Sequence, residues 1–347
     1  MPPSSRSLTL IAPQIAPALT LAVADRSARW PALAGLAGRG SLTCAQREAL
    51  EVRAPLSSWQ SALLDALGLG QARMRYPSAA VTWTGEAGEP ARGFWMHAEP
   101  MHFAAGMQSL SALALRGERR VALAERAMLV PTLAAHLREA GFELSSTRDG
   151  DWLVRSERPL DVATATPEAA VANPLEQVMP SGPDAPELRK LMTELQMLLY
   201  EHPVSLERQR RGLPEVNAIW LHGEGALQGD EVPGSTDTRA GTSLPQAFGD
   251  DAYLRGIYRL HGADVPAAPA DAQALIARLS SPAVAVIGVD DLDTLEALWL
   301  KPIVRALALG TLGRVELVLD RWRISATRGA LLRLWRPRRS PAQWLPC

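Results

Sequence analysis

Apolar residues recur along this chain with two distinct periods. Leu188, Leu191, Met192, Leu195, Leu198 and Leu199 fall at i, i+3, i+4, i+7, i+10 and i+11. That spacing predicts a helix over 187–201, with its apolar stripe against a core. Asp184 and Glu187 are placed to start it with a capping box, and Pro203 to end it. Shorter continuous apolar runs at 7–12, 216–222, 283–289 and 314–320 read as buried strands, with helical patterns at 252–261, 270–279 and 292–309. Strands alternating with helices in the second half predict a parallel or mixed sheet.

The middle of the chain has a different texture. Residues 81–84 and 93–98 read as strands around a Gly/Pro turn, and 121–140 as a helix that Pro131 should break or restart. Residues 142–146 and 152–156 flank Asp149-Gly150, a hairpin signal. Six prolines between 157 and 186 mark a connecting excursion with a short helix at 168–172. In the first 75 residues, Ser57 or Ser58 is placed to cap a helix whose stripe is Leu63, Leu64 and Leu67. Residues 223–251 read as a long loop, the kind of segment that is a functional lid or disordered.

Composition narrows the options. The chain has 347 residues, 47% hydrophobic and 21% charged, with a formal charge of -1. It can therefore bury a sizeable core and is not a globally basic nucleic-acid binder. Its two cysteines, Cys44 and Cys347, exclude a disulfide scaffold and a four-cysteine zinc site. Two lysines against 34 arginines leave few candidates for Schiff-base chemistry. The apolar run 8–24 ends Ala22-Val23-Ala24 like a signal-peptidase site, but Pro13, Gln14 and Pro17 interrupt it. The reading is a cytoplasmic protein, with export the alternative, and no apolar stretch reaches the ~20 residues of a membrane span.

Several clusters carry candidate chemistry. His202, Arg208, Asn217, Gly223 and Gly225 lie between a helix end and a strand rich in terminal glycines. Arginine pairs bidentately with carboxylate or phosphate, and glycine lets backbone N–H groups approach a ligand, so this set is the candidate anion site. A capped helix joined by a solvated turn to a buried strand accounts for the same pattern. His97 and His102 flank Glu99 and Pro100 and could ligate a metal with a third residue, or simply satisfy local hydrogen bonds. Asp290, Asp291, Asp293 and Glu296 follow a buried strand, where α/β sheets bind ligands and where acids also cap helices. Residues 321–347 carry seven arginines and no acid, interleaved with Trp322, Trp335 and Trp344. Basic plus aromatic can mean nucleic acid, but a terminal hairpin with a charged face is the reading taken.

Trp95-Met96-His97-Ala98-Glu99-Pro100-Met101-His102, Met192-Thr193-Glu194-Leu195-Gln196, Glu201-His202-Pro203-Val204-Ser205 and Asn217-Ala218-Ile219-Trp220-Leu221 resemble a proteobacterial family labelled phosphoglycerate mutase, or regulatory protein E of a pathogenicity-factor cluster. The run from His202 to Gly225 also resembles the archaeal cofactor-independent phosphoglycerate mutases of the alkaline phosphatase superfamily, with Ser205 in place of an asparagine. The resemblance implies an α/β alkaline-phosphatase-like core with a mostly parallel sheet from 1–75 and 205–347, and an inserted α+β domain over 76–204. It implies two metals and a serine nucleophile. The chain departs from that pattern. Its first strand ends Ile11-Ala12-Pro13-Gln14 without a carboxylate, the Asp-His pair falls at Asp320-Arg321, and no histidine follows His261.

The leading expectation is thus a catalytically degenerate phosphoglycerate-mutase-like protein with a regulatory or anion-sensing role. It would have no catalytic or metal-ligating residues and no cofactor, and would bind a small phosphorylated or carboxylate ligand or a protein partner, with no nucleic acid and no membrane. An active manganese- or zinc-dependent phosphomutase or phosphohydrolase using Asp290, Asp291, Asp320 and Ser57 or Ser58 is the second reading. A protein-interaction module presenting 76–204 is the third.

Overall fold

The structure is a computed structural model that describes residues 6–22, 29–44, 55–105, 110–227, 244–280 and 282–344. Ala22-Val23-Ala24 beyond Ala22, the long loop over 228–243, and Cys347 lie outside the described residues. No helix among the described residues is long and apolar enough to cross a membrane.

The strands form two sheets. The first comprises β1 (Ser7–Ile11), β2 (Ser41–Cys44), β8 (Gln246–Phe248), β9 (Ala283–Val286), β10 (Arg314–Leu319) and β11 (Trp322–Thr327), in the order β2-β11-β10-β1-β9-β8. Pairs β10/β1, β1/β9 and β9/β8 are parallel, and β10/β11 and β11/β2 antiparallel, so the sheet is mostly parallel. Its strands read as continuous apolar runs because both faces are covered. Leu8, Leu10, Ala285 and Leu317 pack on one side, beneath α1 (Ala16–Ala22), α2 (Pro31–Arg39) and the helical run of α12 (Leu292–Thr294), a π-helical stretch Leu295–Leu300 and α13 (Lys301–Leu309). Ile11, Val284, Val286 and Val318 pack on the other, beneath α3 (Ser58–Ala66) and α10 (Ala252–Leu260). Helix α11 (Ala272–Arg278), α14 (Arg328–Leu331) and α15 (Pro341–Trp344) complete this layer.

The second sheet is antiparallel and is organised by the twelve-residue β3 (Phe94–Ala105). One edge of β3 pairs with β7 (Ala218–Gly225); the other pairs with β6 (Trp152–Ser156) and then β4 (Leu110–Ala114), and β6 also pairs with β5 (Glu143–Ser146). Helices α5 (Leu123–Glu139), α6 (Pro167–Ala172), α7 (Leu175–Val178), α8 (Ala185–Tyr200) and α9 (Pro203–Arg210) surround it, and α8 buries the apolar stripe Leu188, Leu191, Met192, Leu195 and Leu199.

Several expectations need correction. Residues 81–84 are not a strand but part of α4 (Ser78–Ala87), because the small run Ala79-Ala80-Val81 and Gly85 let this segment pack closely on α10. Helix α5 runs unbroken through Pro131, whose ring sits on the solvent side, where the carbonyl it frees reaches water. Asp184 does not form a capping box; its carboxylate accepts from Arg158 and from the Asp161 backbone N–H. Strand β7 hydrogen-bonds to β3 of the second sheet, and α4 packs on α10 of the first.

Candidate functional site

Parallel strands direct their carboxyl ends to one edge. The chain leaves β1 through Pro13 and Gln14, β8 toward Asp251, β9 toward Asp290 and β10 at Asp320. That edge of an α/β sheet is where ligands bind. Between it and the second sheet lies a cleft of about 300 Å³, lined by Gln14, Ser57, Ser78, His97, Glu99 and Arg116, with Asp251, Asp290 and His222.

The second sheet supplies an ordered polar network. His97 and His222 are cross-strand partners on β3 and β7, so their rings stack, with centroids 4.9 Å apart and 17° between planes. Glu99, two residues on and therefore on the same face, lies 3.6 Å from His222 Nε2. Arg116 donates to both Glu99 oxygens, at 3.3 and 3.4 Å, and to Glu168 at 2.9 Å. Gln60 Nε2 donates to Ser78 Oγ at 2.7 Å, and Ser78 Oγ lies 3.0 Å from His97 Nε2. Gly223 sits at φ +66 against His97 and Ser78, where a Cβ would come within 3.0 Å of each, so the tight β7 edge is what lets the network close.

The electrostatics differ sharply from group to group. Burial, with His222 nearby, lowers His97 to about 3, so it is a neutral imidazole. Burial alone would raise Glu99, but Arg116 and His222 outweigh it and bring the carboxyl down to about 2. Burial raises Asp251 to about 6, although its carboxylate caps α10 by accepting from Leu254 N. Burial and the Glu168 charge raise Asp320 to about 6 against the pull of Arg116. Asp320 is also the one positive-φ residue other than glycine among the described residues, at φ 54 in the β10–β11 turn. Holding a non-glycine residue there costs energy, and such strain concentrates at functional positions.

Of the residues selected from sequence as an anion site, Gly223 borders the cleft network, while Arg208, Asn217 and His202 do not line the cleft. Arg208 is fully buried, and its guanidinium is occupied by the carbonyls of Pro214 and Arg119 and by Glu125. Asn217 clamps the backbone of Phe103 from both sides, at 2.7 and 2.9 Å. His202 caps α9, its Nδ1 accepting from Val204 N. Gly223 and Gly225 hold positive φ against His97 and Pro77. This cluster ties α9, β7 and β3 together.

His102 does not join His97. Five residues apart on a strand, they point to opposite faces, and His102 Nδ1 pairs with the Glu215 carbonyl at 3.1 Å. Of the acidic group after β9, only Asp290 lines the cleft. Asp291 caps α12, Asp293 binds Arg29 and Trp30, and the buried Glu296 accepts from the N–H groups of Ala32 and Leu33 at the start of α2. Ser57 lines the cleft, but its hydroxyl accepts from Gln60 N in a capping box. Asp290 and Asp320 follow strands separated by β1, which places roughly 10 Å between their strand ends. Among the described residues no three His, Cys, Asp or Glu side chains converge to hold a metal ion.

Sheet, cleft and network together define an α/β protein with a polar binding cleft at the carboxyl edge of a mostly parallel sheet. The chain is distantly similar to cofactor-independent phosphoglycerate mutases. Two proteins named 2,3-bisphosphoglycerate-independent phosphoglycerate mutase match parts of it. That of Methanothrix thermoacetophila is 37% identical over 65 residues, 19% of this chain and 17% of the relative. That of Methanopyrus kandleri is 36% identical over 112 residues, 30% of this chain and 25% of the relative. The matches thus span a quarter or less of those relatives. Two solved structures align at 16% identity. The cofactor-independent phosphoglycerate mutase of Thermoplasma acidophilum has a TM-score of 0.37, covering 94% of this chain and 90% of that one. The PH0037 protein of Pyrococcus horikoshii has a TM-score of 0.41, covering 90% and 81%. No protein-family model matches.

Proposed function

We propose that this chain is a phosphoglycerate-mutase-like protein without two-metal chemistry, which binds a small carboxylate- or phosphate-bearing ligand in the cleft and serves a regulatory or sensing role in the cytoplasm. One observation carries the reading: the cleft is built, but most of the acids that line it are committed to protein partners. Glu99 and Glu168 accept from Arg116, Asp151 pairs with Arg126, Asp251 caps α10, and β1 leaves through Pro13-Gln14 without a carboxylate. The regulatory part rests on the resemblance to the family that carries a regulatory label.

The cleft's own groups suit such a ligand. A guanidinium has five N–H donors, and Arg116 commits three to Glu99 and Glu168. The remainder, with the exposed Arg120 at the rim and the neutral Gln14, can meet an anion. Elemental analysis of the purified protein, turnover of 3-phosphoglycerate with added manganese or zinc, and calorimetric titration with 3-phosphoglycerate test the proposal. The expected result is binding without turnover, weakened about tenfold by Arg120→Ser, the loss of one charge-assisted contact. Metal-dependent turnover abolished in a Ser57→Ala, Ser58→Ala double variant defeats it in favour of an active phosphomutase, the reading favoured by the position of Ser57 on the cleft wall.

A further inference from the structure

We infer that residues 328–339 form a docking surface for an anionic lipid bilayer. Leu332, Leu334 and Trp335 are 68%, 71% and 79% exposed, a run of large apolar side chains turned to solvent within four residues. Arg333, Arg336, Arg338 and Arg339 interleave with and follow them, and among the described residues none of the four has a carboxylate partner. The sequence from Arg321 onward contains no acid at all.

The exposure is held in place. Thr327 caps α14 by accepting from Ala330 N at 3.3 Å. Arg339 N donates to the Ala34 carbonyl at 3.0 Å, and the Pro337 carbonyl sits so close to Gly38 that a Cβ there would meet it at 2.1 Å. Beyond it Trp344 is buried edge-on against Trp322, 5.7 Å between centroids. The stretch is therefore pinned to α2 on both sides of the apolar run and presents that run outward. Helix α13, packed against α14, adds the exposed Leu309, Arg305 and Lys301.

Charge and apolarity together select the occupant. Each arginine near an anionic leaflet contributes about 1 kcal/mol, while tryptophan and leucine gain by leaving water for the headgroup–acyl boundary. Nucleic acid would use the arginines and the tryptophan, but would leave Leu332 and Leu334 without a partner. The sequence expectation of no membrane rested on the absence of a spanning segment, and a surface contact needs none.

Co-sedimentation of the full chain with vesicles tests this. Vesicles of equal parts phosphatidylcholine and phosphatidylglycerol should retain the protein, and vesicles of phosphatidylcholine alone should not. Retention should fall at high salt. It should weaken at least about tenfold in Leu334→Ser/Trp335→Ser and, separately, in Arg336→Ser/Arg338→Ser, with circular dichroism unchanged because all four side chains are exposed. Brominated lipid should quench fluorescence in the wild type more than in Trp335→Phe. Absence of retention, equal retention on neutral vesicles, wild-type retention in both variants, or capture of single-stranded RNA without capture of vesicles each overturns the proposal.

Discussion

The hydroxyl oxygen of Ser78 lies 3.0 Å from Nε2 of His97. The distance is that of a nucleophile and its base, but the surroundings assign the pair another task. Gln60 Nε2 donates to Ser78 Oγ, so one lone pair of the hydroxyl is already taken. Burial and His222 lower His97 to about 3, leaving it too weak a base to activate a serine. The pair instead ties α4 to β3. Ser78→Ala should therefore cost about 1–2 kcal/mol in urea unfolding, the loss of a buried hydrogen bond. A fluorophosphonate probe should leave Ser78 unlabelled, as read by mass spectrometry.

His97 also predicts a pH dependence. Its folded pKa lies below the ordinary imidazole value of 6.5, so its contribution is complete above 6.5 and is lost as pH falls through about 3. In His97→Gln, the slope of stability against pH between 4 and 6 should change by up to about 1.4 kcal/mol per unit. Urea midpoints measured across that range check it.

Asp320 works in the opposite sense. Its folded pKa of about 6 lies above the ordinary carboxyl value of 3.8, so stability is complete below 3.8 and is lost as pH rises through about 6. Asp320→Asn removes the charge while keeping a side chain that tolerates positive φ. At pH 8 the variant should be more stable by about 2 kcal/mol, with little difference at pH 4.

Arg208→Met distinguishes a structural arginine from an anion ligand. The guanidinium is fully buried among two carbonyls and Glu125. Its removal should cost about 3–5 kcal/mol, because Glu125 loses its nearest cation and the Pro214 and Arg119 carbonyls lose their donor. Arg208 does not line the cleft, although it donates to the carbonyls of Arg119 and Arg120 at the rim, so binding of 3-phosphoglycerate by the folded fraction should weaken less than in Arg120→Ser. Calorimetry on refolded protein, beside a denaturation curve, separates the two.

What could be read from sequence follows from where the information lies. The α8 stripe and the strands β1, β9 and β10 are legible because burial imposes a period on neighbouring residues. The capping of α3 by Ser57 is legible because a capping box spans three residues. Segment 81–84 was misread because a short apolar run fits strand or helix, and the glycine contact that favours the helix comes from α10, far along the chain. The cleft was hardest. His97 and His222 stood in separate motifs, Arg116 and Glu168 are 52 residues apart, and no local spacing announces that β7 lies beside β3. The Arg208 cluster was conspicuous for the opposite reason. A buried arginine needs several partners near in sequence or in space, and that density resembles a binding site.

The crossing of α4 and α10 holds the two sides of the cleft together, and glycine makes it possible. A Cβ on Gly256 would lie 1.9 Å from the Val81 carbonyl oxygen, and one on Gly85 1.8 Å from that of Ala252. Both obstacles are backbone, so no side-chain rotation relieves them, and the helices must separate. Helix α4 begins at Ser78, which contacts His97, while α10 is capped by Asp251 at the cleft. Separation therefore moves the second-sheet network relative to the carboxyl edge of the first. Gly256→Ala should cost about 3 kcal/mol, the upper range for overpacking. It should also loosen binding of 3-phosphoglycerate by at least about tenfold, since a misplacement near 1 Å degrades a preorganised site. Gly262→Ala is the control: it sits at φ +70 with nothing within 4 Å of its Cβ, and should lower stability without changing the affinity of the folded protein.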